Sequence, residues 1–241
     1  MKQSGVSGQR APFRYFDIVV ALFIATLIVS NIGSTKIIGA GPFVFDGGTI
    51  LFPLAYVIGD ILTEVYGFRY ARRVIWLGFG ILLLMTGVLA LISVLPAASG
   101  TATQAAAYTK VVGFVPRIVL ASITAYIVGE FTNTMLIAKL KIRTRGRLYW
   151  LRSLGSSSIG ELVDTLIFST IAFIGTMPAS DFIRLLYTVY GMKLIFELLA
   201  VSVSSYVVKA MKRTEQMDVF DTGIRFAWIG SLTPRSRKNN D

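Results

Sequence analysis

Residues Val74–Leu95 read VIWLGFGILLLMTGVLALISVL, twenty-two positions without one ionisable side chain. At 1.5 Å of rise per residue, a helix of this length covers about 30 Å, the thickness of a bilayer's hydrocarbon core. Five further stretches meet the same requirement or nearly so: Tyr15–Ile32, Thr49–Tyr66, Arg117–Ala138, Leu154–Ile174 and Phe182–Lys209. The whole chain of 241 residues is 54% hydrophobic and 15% charged, with a mean hydropathy of +0.66, whereas soluble chains carry about a quarter charged residues. The expected fold is therefore all-α, a polytopic membrane protein with six transmembrane helices over residues 15–209. A cytoplasmic segment over 1–14 precedes it, and a cytoplasmic tail over 210–241 follows. The Gly-, Pro- and Ser/Thr-rich runs Gly39–Gly48, Pro96–Tyr108 and Gly175–Ser180 read as connections. Lys36–Phe45 is too short and glycine-rich to span, and is expected as a hairpin or re-entrant piece beside the bundle.

There is no cysteine and no histidine. That excludes disulfides, thiol and imidazole catalysis, and zinc, haem or iron–sulfur ligation of the common kinds; no metal and no cofactor is expected. The net charge of +11 need not mean nucleic acid, because Lys and Arg gather on the cytoplasmic flanks of membrane spans. Nineteen of the 24 basic residues fall at Lys2, Arg10 and Arg14, at Arg69, Arg72 and Arg73, between Lys139 and Arg152, and from Lys209 onward. Both termini are thus expected on the cytoplasmic side. The basic start before Ile18–Val29 also suits a signal peptide, but Ser30-Asn31-Ile32-Gly33-Ser34 is a poor cleavage site, and a retained helix is expected.

Carboxylates inside these spans are the chemical signal, because an ionisable group at bilayer depth costs at least about 2.5 kcal/mol and is paired or faces a wet cavity. Asp60 and Glu64 share one helical face at i,i+4, with Tyr56 a turn earlier. Glu161 and Asp164 share another at i,i+3, after Ser156–Ser158 and Gly160, which permit close approach of a helix or ligand. Glu130 sits near Asn133. Lys193 and Glu197 at i,i+4 read most simply as an intrahelical ion pair, and Glu64 as an interfacial anchor pairing Arg69 or Arg72. Four acids on three helices suit a cation or proton in transit, or a flat base with adjacent N–H donors. Spacing does not choose between them.

The run Ser30-Asn31-Ile32-Gly33-Ser34-Thr35-Lys36, then Phe52-Pro53-Leu54 through Asp60-Ile61-Leu62-Thr63-Glu64-Val65-Tyr66-Gly67, resembles the bacterial queuosine precursor transporters of the vitamin uptake transporter group. Gly129-Glu130-Phe131-Thr132-Asn133, Arg152-Ser153, Gly160-Glu161, Asp164-Thr165 and the tail Asp218-Val219-Phe220-Asp221 look like further landmarks. Ala227-Trp228-Ile229 departs from the family's Asn-Pro-Phe-like ending. The resemblance implies a fold similar to the substrate-binding subunits of energy-coupling-factor transporters. It also implies uptake of the 7-deazaguanine bases preQ0 and preQ1 for tRNA modification, in the bacterial inner membrane.

On that footing the expected site has Glu161 and Asp164 on the N–H edge of the base, with Glu130, Asn133, Asn31 and Asp60 lining the pocket. Arg152 or Lys36 would balance charge, and Tyr56 or Phe168 would stack. Glu64 with Arg69 and Arg72 would form a gate, with Lys193 and Glu197 structural. No ATPase motif is present, so ATP-independent transport is expected, and the partners are the substrate and the lipid bilayer. Gly- and Ser-rich faces permit a homodimer without specifying one. The rivals are an intramembrane hydrolase, which lacks a Gly-x-Gly-Asp element or a histidine here, a subunit of an ATP-driven complex, and a carrier of another vitamin or purine.

Overall fold

The computed structural model describes residues 13–143 and 149–215. Among them are seven α-helices: α1 Phe16–Gly33, α2 Phe52–Glu64, α3 Phe68–Val94, α4 Ala102–Val112, α5 Val115–Arg143, α6 Tyr149–Phe173 and α7 Ala179–Glu215. A hairpin of β1 Ile37–Ala40 and β2 Phe43–Asp46 follows α1, and a 3-10 turn, Gly47–Leu51, leads into α2. Three segments are long and apolar enough to cross a membrane: Phe16–Gly33, Phe68–Val94 and Ala102–Asn133, the last joining α4 to α5. Around α1, α3 and α7 large apolar side chains such as Leu22, Leu84, Leu91 and Leu198 point outward, as a lipid-facing surface requires.

Several boundaries differ from the sequence reading. Thr49–Tyr66 is not one long helix. Gly47 and Gly48 start a 3-10 turn and Pro53 opens α2, which has 13 residues and so rises only about 20 Å. The Pro96–Tyr108 connection holds the start of α4, ATQAAAYTKVV, whose alanines favour helix even though none of its residues is buried. Arg69, Arg72 and Arg73 lie in the first turns of α3, which starts six residues earlier than Val74. The tail landmarks Asp218–Asp221, Lys2 and Arg10 lie outside the described residues, as does the side chain of Arg152.

The hairpin is antiparallel, with Ile37 opposite Asp46 and Ala40 opposite Phe43. Gly41, at φ 60°, supplies the left-handed backbone of its two-residue turn. Ile37, Val44 and Phe45 pack on a core of Ile118, Phe173, Leu185 and Val189, so the hairpin closes one end of the bundle. At that end Arg117 donates to the carbonyls of Ile171 (2.5 Å) and Ile174 (2.7 Å), capping the C-terminus of α6. The opposite end is tied by Glu215. Its carboxylate accepts the backbone N–H groups of Arg14 (2.9 Å) and Tyr15 (2.7 Å) at the start of α1, and the hydroxyl of Tyr66 (2.9 Å). Partial desolvation opposes ionisation there, but these donors win and hold the carboxyl below the usual range. The N-terminus of α1 and the C-termini of α2 and α7 therefore meet at one end.

Two glycine contacts set the packing. Gly47 and Gly48 lie against the C-terminus of α1, where a Cβ on Gly47 would stand 2.6 Å from the Gly33 carbonyl oxygen, and one on Gly48 would strike Ser34 and Ser30. Buried Asp46 completes this joint, accepting from Ser34 Oγ (2.5 Å), Gly48 N (3.0 Å) and Thr49 Oγ1 (2.9 Å). Most of the Ser30–Lys36 motif is thus structural. Gly48→Ala is expected to cost about 1–3 kcal/mol by overpacking, read as a lower melting temperature of the detergent-purified protein; an unchanged melt would contradict this packing.

Candidate functional site

Antiparallel α5 and α6 approach backbone to backbone. A Cβ at Gly129 would lie 2.8 Å from Asp164 Cβ, and one at Gly160 would lie 2.9 Å from Asn133 Cβ. The two glycines remove the side chains that would otherwise separate the helices, and in doing so present Glu130 and Asn133 beside Glu161 and Asp164. The same faces border a cavity of ≈ 330 Å³, which α2 lines with Tyr56 and Asp60 and α7 with Glu197 and Ala200. A second compartment of ≈ 440 Å³ adjoins it, sharing Tyr56, Asp60, Tyr126, Glu130, Glu161 and Asp164 and extending to Asn31, Phe52, Phe168 and Lys193. Volumes of roughly 300–1,000 Å³ are those of small-molecule sites.

Lys193 sits at the centre of the electrostatics. It is 6% exposed, lies in contact with Asp164, stands 3.0 Å from Glu161 Oε2, and rests its ammonium 5.0 Å from the centroid of the Phe52 ring. Glu161 Oε1 in turn accepts the Tyr56 hydroxyl at 2.8 Å. This corrects the expected intrahelical pairing. Lys193 reaches across to α6 because two carboxylates there outweigh one on its own helix, and Glu197 instead lines the smaller cavity beside Ser157. Tyr190 donates its hydroxyl to the Ser158 carbonyl (3.2 Å), a further tie between α7 and α6.

Of the residues expected at the site, the fold brings together Glu161, Asp164, Glu130, Asn133, Asn31, Tyr56, Phe168 and Asp60 on the two compartments. Lys36 is exposed at the bend just before the hairpin and lines neither compartment, its carbonyl accepting Gly47 N at 2.8 Å. Arg152 lies at the start of α6, its side chain outside the described residues. The gate group divides. Arg72 lines the larger compartment near Phe68, Arg69 does not line it, and Glu64 takes Lys212 of α7 as a partner at 3.5 Å. Tyr126 was missed, and Lys193, read as a structural partner of Glu197, pairs with Glu161 and Asp164 instead. Tyr126 stands one turn before Glu130 on the same stripe, a signal the sequence did carry.

What this arrangement can do chemically is hold a donor-rich solute. Carboxylates and amides from several helices face one hollow, aromatic rings border it, and no group of three or more His, Cys, Asp or Glu side chains suited to hold a metal occurs among the described residues.

Comparison with known proteins agrees in kind. The family described as "Putative vitamin uptake transporter" matches residues 46–208. A Bacillus subtilis (strain 168) protein named "Probable queuosine precursor transporter" is 32% identical over 165 residues, 68% of this chain and 71% of the relative. The Escherichia coli (strain K12) "Queuosine precursor transporter" is 30% identical over 126 residues, 52% of this chain and 54% of its own. A Haemophilus influenzae relative with the "Probable" form of that name is 26% identical over 126 residues, 52% and 51% of the two chains. No solved structure matches the chain. The family match spans the α2, α5, α6 and α7 faces that build the hollow, and together with these relatives it shows that this membrane protein belongs to the vitamin uptake transporter family, alongside the queuosine precursor transporters.

Proposed function

We propose that the protein is an ATP-independent importer of queuosine precursors, the 7-deazaguanine bases preQ0 and preQ1. It works from the bacterial cytoplasmic membrane with six transmembrane helices, both termini cytoplasmic, and a bundle similar to energy-coupling-factor substrate-binding subunits. The observation that carries the reading is the hollow itself: acidic side chains of α2, α5, α6 and α7 converge on ≈ 330 Å³ inside an apolar bundle. The names borne by the relatives point to queuosine precursors as the substrate class.

The base's N1–H and exocyclic amine present two adjacent donors, which one carboxylate accepts together. Glu161 fits that task better than Asp164, whose carboxylate is in closest contact with Lys193 and whose Cβ lies against Gly129. Tyr56, Tyr126 and Phe168 border the space where the ring would lie, and Asn31, Asn133, Asp60 and Glu130 serve its remaining edges. Sidedness follows the same way. The Glu215 end, where α1 begins and α7 ends, faces the cytoplasm, and the hairpin end faces outward.

The test is rescue. In a bacterium unable to make or import either base, expression of this chain should restore queuosine in tRNA when preQ0 or preQ1 is supplied, without added ATPase subunits. Queuosine-free tRNA despite protein in the membrane would overturn the proposal. Restoration only alongside an ATPase partner would overturn its ATP-independent part.

A further inference from the structure

Phe52 and Tyr56 stand one turn apart on α2, on the same helical face. Each touches a different member of one ion pair. The Phe52 ring lies against the Lys193 ammonium, its centroid 5.0 Å away, and the Tyr56 hydroxyl donates to Glu161 Oε1 at 2.8 Å. The two rings also meet edge to face, with centroids 6.5 Å apart. The short helix α2 therefore grips the pair formed by Lys193 of α7 and Glu161 of α6 at both its positive and its negative end.

That grip leaves one part of Glu161 free. Lys193 stands 3.0 Å from Oε2 and Tyr56 serves Oε1, so each oxygen has its own donor. A carboxylate has about four acceptor positions, two on each oxygen, and one on each remains, as two adjacent N–H donors require. With both holders in place the Glu161 side chain is still 21% exposed, and it borders both compartments. Without the tyrosine hydroxyl, the carboxylate can turn both oxygens onto the lysine, whose ammonium carries three donors, and the edge closes. Acceptor geometry also limits what Tyr56 itself does. A donor to a carboxylate oxygen lies near the carboxylate plane, and a base held by the same carboxylate lies in that plane too. The phenol oxygen meets such a base at its rim, so its ring does not cover the base's face.

We propose that Tyr56 and Phe52 are positioning residues, Tyr56 acting through Glu161 and Phe52 through Lys193. Together they set the preference for a base with two adjacent N–H donors over one with a single donor. This rests on the functional reading above and sharpens it. Tyr56 passes from the stacking role its ring suggested to an orienting one, and the base's face is left to Phe168, which borders the larger compartment.

The experiment is binding of two probes to the purified full-length protein: preQ0, and 7-cyano-7-deazahypoxanthine, the same base without its exocyclic amine. The parent should prefer preQ0 by at least about tenfold, the worth of one charge-assisted hydrogen bond. Tyr56→Phe keeps the ring and loses the hydroxyl; it should weaken preQ0 by about tenfold and the single-donor base by less than about threefold. Tyr56→Leu should match Tyr56→Phe, and Phe52→Leu should narrow the preference in the same direction. Parent-like preference in Tyr56→Phe, or equal losses for both probes, as general damage to the fold gives, would overturn the orienting role. So would binding by Tyr56→Leu far weaker than by Tyr56→Phe, because the ring would then be what the base needs. A preference unmoved by Phe52→Leu would strike Phe52 from the pair. Should Tyr56→Phe fail to fold, the same two measurements on Phe52→Leu decide. Equal affinities of the parent for both probes would overturn the inference and leave the transporter reading intact, whereas binding of neither would overturn both.

Discussion

Lys193→Met is expected to be the most damaging single substitution in the bundle. It leaves Glu161 and Asp164 side by side, at side-chain exposures of 21% and 23%, with no cation between them. Removing one partner of a buried charge pair costs about 3–5 kcal/mol, mostly from the charge left behind. The detergent-purified variant should melt several degrees lower or fail to accumulate, and uptake should vanish. The informative companion is the neutral triad Lys193→Met/Glu161→Gln/Asp164→Asn, in which no charge is stranded. It should recover most of the lost stability and none of the transport. If Lys193→Met alone melts like the parent, Lys193 is not the counter-ion of the site.

The sequence and the fold divide the credit for this site along a physical line. Composition and uninterrupted apolar runs declare the membrane, because the bilayer acts on every residue of a span in the same way. Local spacing declares which side chains share a face, so Glu161 with Asp164 and Tyr56 with Asp60 were legible at i,i+3 and i,i+4. Pairing between helices is not local, and there the reading failed. Lys193 and Glu197 have ideal intrahelical spacing, yet the lysine turns to α6. Lys36 belongs to a motif that resembles the family, yet it is exposed, and that motif's glycine and serine neighbours serve the joint between α1 and Gly47–Gly48. Pro53 and the paired glycines before it were visible, but their consequence, a short α2 entered through a 3-10 turn, depends on Asp46 being buried against Ser34. The close approach of α5 and α6 was half-legible. Gly160 and its serines announced a small-residue face, and only the fold names Gly129 as what meets it.

Glu161→Gln should separate function from stability more cleanly than any other change. The amide has nearly the shape of the carboxylate, Lys193 retains Asp164, and Tyr56 still has an oxygen to donate to, so the melting temperature should move by only a few degrees. The loss falls on the solute. A carboxylate accepts two adjacent N–H donors at once, in charge-assisted bonds of about 1.5–3 kcal/mol each. An amide has one acceptor and turns an N–H of its own toward the base. A deficit of about 3–4 kcal/mol is a fall of two to three orders of magnitude in affinity, measurable as binding of preQ0 or preQ1 to purified protein and as uptake in vesicles. Asp164→Asn provides the contrast, because it weakens the counter-ion of Lys193 and should lower melting temperature and uptake together. Parent-like uptake in Glu161→Gln would remove this carboxylate from the site. Equal stability losses in the two variants would make Glu161 a structural partner of Lys193 and leave the base to be held elsewhere in the hollow.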